Sequence, residues 1–477
     1  MGNYAPSFWK ADKQTTLQEA ARLIAAKYVD TLNADTLTAK ALEAMLAKLD
    51  PYSTYIPADD LQRMNDALKD HFDGIGVAFQ LIDDTVTIMR VLPEGPSAKA
   101  GLQPGDQLIA ADGRMLAGKN IASEAVQKIF RGKHGSKISV TALRDGKNIE
   151  VTLTRDVINT PTIETAYMIA PETGFIKLDR FSNNSYESFM QQLERLQQQG
   201  MKKLVLDLRD NGGGLLEEAV QIADELIGNN QLILYTEGKA SPRQNYLAKR
   251  PGLFEEGALV VLIDEGSASA SEVLAAAVQD WDRGTIVGRN SFGKGLVQEQ
   301  FNLSDGSAMR LSVSRYYTPL GRNLQKPFEA NQNKDGKTYR TRKGKTLYAQ
   351  SGIAPDVLIA YDSTLLQLRE NMPGLESVLI KTALRFYQQN KSSILIHKTP
   401  EAFSNAVRSE KALQSFLMAA IQQRYPQQRN LSAAATEMLT NQCCAMIAGI
   451  IWGSDGSVRS LNSTDPFVQK ARSLLQP

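Results

Sequence analysis

Gly266-Ser267-Ala268-Ser269-Ala270-Ser271-Glu272 crowds small residues between an apolar run and a helical pattern. A turn of this kind lets a hydroxyl protrude while N–H groups at the helix start face outward, where partial positive charge favours an oxyanion. Ser/Ala/Gly turns also occur for structural reasons, and the segment alone fits both. Downstream, Ser291-Phe292-Gly293-Lys294-Gly295-Leu296-Val297-Gln298 holds a lysine between two glycines with apolar neighbours. A solvated turn lysine is the ordinary reading. A lysine is a base only when neutral, as about one in 2,500 is at pH 7 for a pKa of ~10.4, and burial can lower that pKa toward ~7–8. Upstream, Asp207-Leu208-Arg209-Asp210-Asn211-Gly212-Gly213-Gly214 sets three glycines after an apolar strand pattern. Backbone amides there can approach a ligand closely; a flexible strand-to-helix turn has the same look. A hydroxyl, an amine and backbone donors are the parts of acyl transfer. The three histidines, His71, His134 and His397, all lie outside the stretch around Ser269, which disfavours a Ser-His-Asp triad.

Elements must hold these parts in place. Gly174–Leu178, Leu204–Arg209, Ala258–Asp264, Thr285–Gly288 and Met309–Tyr316 read as strands. Helices are expected at Ser185–Gln199, Leu215–Ile227 and Ser271–Gln279. Strand–turn–helix repeats of this sort predict parallel pairing with right-handed crossovers. Before them, about Lys10 to Leu68 reads as helical, with a break at Asp50-Pro51. From Gly74 the period changes to strands at Gly74–Phe79 and Val86–Val91. A short helix at Pro96–Leu102, the turn Pro104-Gly105-Asp106, a strand at Gln107–Ala111, a helix at Ala122–Phe130 and a hairpin around Asp145-Gly146 follow. This order, with its Ala-Gly-Leu and Pro-Gly-Asp signatures, resembles a PDZ domain. Asn331–Lys345 is polar and basic and reads as an exposed loop or hairpin. Its Gly344-Lys345-Thr346 is not a phosphate loop, because Tyr339 occupies the place of that motif's first glycine. The rest, from about Leu365, is helical in pattern, suited to a lid, an oligomer contact or simple packing on the core.

Composition narrows the classes. A chain of 477 residues is long enough for several domains. With 42% hydrophobic and 22% charged residues it reads as globular. A formal net charge of +2 gives no field that points to nucleic acid. No apolar run approaches the ~20 residues of a membrane span. Met1–Pro6 has neither a charged n-region nor an apolar h-region, so it does not read as a signal peptide. The two cysteines, Cys443 and Cys444, are adjacent in an apolar stretch and read as buried small hydrophobes, with a strained vicinal disulfide as the alternative. Their number excludes a disulfide scaffold and a zinc site built on four cysteines.

The set DLRDNGGG, GSASASE and SFGKGLVQ, in that order behind a PDZ-like segment, resembles the carboxyl-terminal processing peptidases, also called tail-specific proteases. The likeness spans about residues 40–360. It includes Leu49-Asp50-Pro51-Tyr52-Ser53-Thr54-Tyr55 before the PDZ segment, and Tyr317-Thr318-Pro319-Leu320-Gly321-Arg322 and Gly352-Ile353-Ala354-Pro355-Asp356 after the chemical turns. The resemblance implies a multidomain α/β protein: a crotonase- and Clp-like ββα spiral core at 158–364, an inserted PDZ domain at 73–157, and helical regions at 1–72 and 365–477. It implies a serine endopeptidase acting at or near the C-terminal tails of proteins, with Ser269 as nucleophile and Lys294 as base. Lys294 stands 25 positions after Ser269, the family's spacing. By the same likeness Gln298 orients Lys294, and the N–H groups of Ala270 and one glycine of 212–214, Gly213 first among them, form the oxyanion hole. Ser267 and Ser271 are then supporting residues. Gly74-Ile75-Gly76-Val77 matches the PDZ loop that holds a peptide carboxylate, so substrates with unstructured C-terminal tails are the implied partners. No cofactor, metal or nucleic acid is implied, and the C-terminal helical region is open to homo-oligomer contacts. The implied compartment is the bacterial cell envelope, the periplasm in particular, reached with an export signal that this sequence does not show. Two other readings stand beside it. One is a non-catalytic PDZ scaffold. The other is a penicillin-binding-type hydrolase using the S-x-x-K pattern Ser291 to Lys294, which needs a helix that Gly293 weakens.

Overall fold

A computed structural model describes residues 16–61, 70–228, 230–328, 337–349, 352–428 and 431–476. A six-stranded sheet runs Ile163–Ala170, Thr173–Leu178, Lys203–Asp207, Ala258–Ile263, Thr285–Gly288, Val357–Leu358. The first pair is antiparallel and the later pairs are parallel. Because strand order follows chain order, crossovers of one hand put their helices on one face. Ser185–Gln198, Leu216–Asp224 and Ala270–Asp280 accordingly share a core with Ile176, Leu204, Leu206 and Val261. The alternate side chains Phe175, Val205, Val260, Leu262 and Val287 face the other way. Parallel strands need cover on both faces. The helix Pro466–Leu475 gives it, through Phe467, Val468, Ala471 and Leu475. Arg209 anchors that helix, with Nη1 donating to Asp465 Oδ2 at 2.6 Å and its guanidinium over the Phe467 ring.

A second sheet centres on Ala308–Tyr317, which pairs antiparallel with Leu296–Asn302, Thr54–Ile56 and Leu232–Glu237. Thr54–Ile56 departs from the helical reading of the first 72 residues. Its turn is fixed by Asp50, whose carboxylate accepts from the Tyr52 and Ser53 amides and the Ser53 hydroxyl, and Thr54, Tyr55 and Ile56 then favour a strand. Five strands of these sheets, Ile163–Ala170, Leu232–Glu237, Gln244–Leu247, Leu296–Asn302 and Val357–Leu358, had no expectation from the sequence, since none alternates cleanly.

The PDZ-like unit hangs on an antiparallel pair, His71–Gly74 with Asp156–Asn159. Its main sheet runs Val77–Ile82, Thr85–Val91, Gln107–Ala111, Lys137–Arg144, Lys147–Thr154, so Val77–Ile82 is an edge strand. The helix Ser123–Phe130 packs on it through Val126 and Phe130. The helices from Leu375 to Trp452 form their own core around Leu379, Phe403, Leu417 and Ile447. Cys443 and Cys444 lie inside it as buried free thiols, and burial pushes the Cys443 thiol up to about 12. This helical unit meets the PDZ sheet where Ile380, Leu384 and Ile450 pack on Ile82. The polar stretch forms a hairpin, Thr338–Arg340 with Thr346–Tyr348, while residues 331–336 lie outside the described residues.

Candidate active site

All three chemical segments leave the carboxyl ends of adjacent parallel strands, Lys203–Asp207, Ala258–Ile263 and Thr285–Gly288. Open α/β sheets gather ligands at that edge. Asn211, fully buried, joins the first two segments. Its carbonyl accepts the Ala268 N–H at 3.0 Å and the Ser271 hydroxyl at 2.8 Å, and its Nδ2 donates to Leu178 O at 2.9 Å. The Ser267 hydroxyl donates to Leu208 O at 2.8 Å. Ser267 and Ser271 thus lock the turn onto the neighbouring strand and leave Ser269 as its protruding hydroxyl.

Ser269 sits at φ 56°, ψ −114°, immediately before the helix Ala270–Asp280. A non-glycine residue in that region carries backbone strain and persists only where its surroundings enforce it. Gly213 shows why the neighbourhood is tight. Its φ is +97°, and a Cβ there would come within 2.7 Å of Ala268 O and 2.8 Å of Ser269 Cβ. The Ala270 N–H makes no hydrogen bond among the described residues and is free to donate. The Gly213 N–H is already engaged, donating to Asn211 Oδ1 at 2.9 Å. The structure therefore sets Gly213 against Ser269 and Ala270 but does not leave its N–H open beside Ala270.

Lys294 is half-buried, and its Nζ donates to Gln298 Oε1 at 2.8 Å. Gln298 Nε2 in turn donates to Tyr52 O at 2.6 Å, and the amine lies 4.9 Å from the centre of the Tyr52 ring. A register shift between Val297 and Gln298 accompanies this geometry, a device that re-aims side chains next to sites. Burial, then repulsion from Arg310, pull the Lys294 amine below its ordinary value, against the attraction of Asp50 and Glu272. Lys294 and Gln298 are brought together. Among the described residues no hydrogen bond joins Ser269 Oγ to Lys294 Nζ; the two residues are linked through their backbone N–H groups, which share Glu272 Oε2.

Glu272 is the residue whose role the sequence did not disclose. It is 0% exposed, and its carboxylate accepts from the Ser269 N–H (2.9 Å), the Lys294 N–H (2.8 Å), the Gly293 N–H (2.8 Å) and the Ser291 hydroxyl (2.5 Å). Burial raises its pKa, while these hydrogen bonds oppose the rise. The Ile353 N–H donates to Ser291 Oγ at 2.6 Å, which places Gly352-Ile353-Ala354 in the same network. Ser291 is thus a buried structural hydroxyl in a non-helical segment, which removes the S-x-x-K geometry. The signal for Glu272 was its place three residues after Ser269, at the third position of the helix that Ser269 precedes.

Residues 172–332 match peptidase family S41, and residues 74–154 match the PDZ domain. The carboxy-terminal-processing protease of Bartonella bacilliformis is 32% identical over 333 residues, 67% of this chain and 76% of that protein. The carboxyl-terminal-processing protease of Synechocystis is 33% identical over 332 residues, 67% of this chain and 77% of that protein. The chain belongs to the carboxyl-terminal processing peptidases of family S41. A solved photosystem II D1 C-terminal processing protease is 26% identical and covers 75% of this chain and 93% of that chain, with a TM-score of 0.41.

In this serine-type peptidase the segment Gly74-Ile75-Gly76-Val77 leads into the edge strand Val77–Ile82 of the PDZ sheet. Gly76 has φ +73°, open to glycine and strained for other residues. The Ile75 and Gly76 N–H groups make no hydrogen bond among the described residues, while the Ile75 and Gly76 carbonyls accept from Ser97 and Leu92. The peptidase has no helix, among the described residues, long and apolar enough to cross a membrane.

Proposed function

We propose that this peptidase cleaves proteins at or near their C-terminal tails with Ser269 as nucleophile and Lys294 as base, and that its PDZ domain holds the substrate tail. The observation that carries the reading is the Lys294 amine, half-buried, drawn below its ordinary pKa and fixed by Gln298, on a residue whose backbone shares Glu272 Oε2 with that of a strained serine. In the neutral form, Lys294 Nζ takes the proton of Ser269 Oγ as that oxygen attacks the scissile carbonyl carbon. The oxyanion is met by the Ala270 N–H and an amide of 212–214; Gly213 serves if its N–H turns from Asn211 Oδ1. The ammonium then gives its proton to the leaving nitrogen as the C–N bond breaks. Water, deprotonated by the same amine, releases the acyl group as a carboxylate and restores the serine. The serine–lysine contact itself closes on substrate, as such contacts commonly tighten in the Michaelis complex.

The free N–H groups of Ile75 and Gly76 beside an open sheet edge support carboxylate capture with the tail added as a strand. The family likeness supports work in the bacterial cell envelope, the periplasm in particular. The test is incubation of wild type and Ser269→Ala with a folded protein bearing a disordered apolar tail, with fragments read by mass. Tail-proximal cleavage by wild type alone is expected; equal cleavage by Ser269→Ala removes the assignment.

A further inference from the structure

The peptide groove of the PDZ domain continues past the PDZ fold. At its loop end a cavity of about 300 Å³ is lined by Phe72, Ile75, Gly76, Gln127, Phe130 and Arg131 and reaches Phe79 and Ser123. A second cavity, about 450 Å³, shares Phe79 and Ser123 and runs on along Gln80 and Leu81 to Gly374, Glu376, Ser377 and Ile380. Those last residues open the helix Leu375–Gln389 of the C-terminal helical unit. That helix is seated on the PDZ sheet by Ile380 and Leu384 against Ile82, and by an ion pair between Lys381 and Asp83.

We infer that the C-terminal helical unit completes the tail-binding groove, and that Glu376 selects a lysine or arginine about four positions upstream of the last residue of the bound tail. This rests on the reading of the PDZ domain as the tail-binding module and adds a residue preference to it. The direction follows from the loop. A carboxylate held by Ile75 and Gly76 starts an antiparallel strand beside Val77, and one-to-one pairing brings the residue about four positions upstream beside Leu81. Leu81 is where Glu376 enters the lining. Charge agrees along the groove. Arg131 lines the carboxylate end, and Glu376 lines the far end, exposed and without an ion pair among the described residues. Lys381, five residues further on, is already paired with Asp83, so the far end presents a net negative charge to the tail.

The full chain carrying Ser269→Ala, which binds without turnover, is titrated with fluorescent peptides that share their last three residues. Lysine or glutamate stands at the fourth position upstream of the last, and each peptide is made with a free and an amidated C-terminus. Lysine should bind on the order of threefold to fivefold tighter than glutamate at low salt, the size of an exposed charge pair, with the margin shrinking as salt rises. Adding Glu376→Lys should reverse the preference. If free-carboxylate peptides bind but their lysine-to-glutamate ratio ignores Glu376→Lys, the subsite is wrong and the PDZ reading stands. If amidation leaves binding unchanged, or no peptide binds, both are overturned.

Discussion

The Lys294 N–H donates to the same Glu272 oxygen, Oε2, that accepts the Ser269 N–H, at 2.8 and 2.9 Å. One buried carboxylate oxygen thus fixes the backbone of the serine and of the lysine together, although the two residues leave different strands. The other oxygen takes the Gly293 N–H and the Ser291 hydroxyl. Four donors on one carboxylate explain how a positive-φ serine is held, since the helix start and the lysine loop are pinned to a common point.

Glu272→Ala should remove that point. Three N–H groups and a hydroxyl lose their acceptor in a buried site, where each unpaired group costs about 1–3 kcal/mol. Water filling the space reduces the sum, and a loss of about 3 kcal/mol is expected. Urea unfolding measures it. Glu272→Gln keeps the shape but turns an amide NH2 toward donors, so kcat should fall by roughly 10² through misplacement of Ser269. A variant with wild-type stability and turnover removes Glu272 from the machinery.

The layout of the core was legible where one physical cause dominates. Leu204–Leu206 and Ala258–Ile263 are apolar on both faces, and runs of that kind declare buried parallel strands. Glycine and small-residue spacing drew attention to the segments that hold Ser269 and Lys294, whereas the roles of Ser269, Lys294 and Gln298 came only from the family resemblance. The hidden parts depend on contacts between distant segments. Tyr52 O receives Gln298 Nε2 from 246 positions away, and nothing local in Asp50-Pro51-Tyr52 announces that it closes over the lysine. The helix Pro466–Leu475 reads as an ordinary amphipathic helix, and only the uncovered face of the sheet shows what it covers.

Gln298 should act by position. Gln298→Ala frees the amine from its 2.8 Å tether and should lower kcat by roughly tenfold to a hundredfold, a part of the 10²–10⁴ that a placed base supplies, with KM little changed. Gln298→Glu has a different signature. An anionic partner favours the ammonium, so the rising limb of the pH–rate profile should move up by about 1–3 units. A Gln298→Glu profile that overlays wild type denies the contact any role.

Gly213→Ala tests the tight approach beside the serine. At φ +97° an alanine is strained, and its Cβ would press on Ala268 O and Ser269 Cβ. Strain of about 1–3 kcal/mol is expected. A displaced Ser269 should reduce kcat by about 10², and reaction of Ser269 with a fluorophosphonate probe should slow in parallel. Unchanged labelling and turnover would show that the loop yields and that its closeness to Ser269 is incidental.

The pH dependence follows from the lysine. The base is the neutral amine, so activity should rise with pH, with a midpoint below the ordinary lysine value of 10.5 because burial and Arg310 lower the Lys294 pKa. Arg310→Ala removes the repulsion. The ammonium becomes easier to keep, the Lys294 pKa rises, and the limb should shift to higher pH while the plateau rate holds. Asp50 acts with the opposite sign, so Asp50→Asn should shift the limb to lower pH, provided the turn at Tyr52 and Ser53 survives. Lys294→Arg should be inactive at every pH, because its guanidinium keeps its proton. Lys294→Met should be equally inactive yet fold normally, since it removes a half-buried cation and keeps the apolar stem. Profiles of kcat/KM from pH 5 to 10 distinguish these outcomes. An Arg310→Ala limb that moves down, or turnover by Lys294→Arg, contradicts a lysine base.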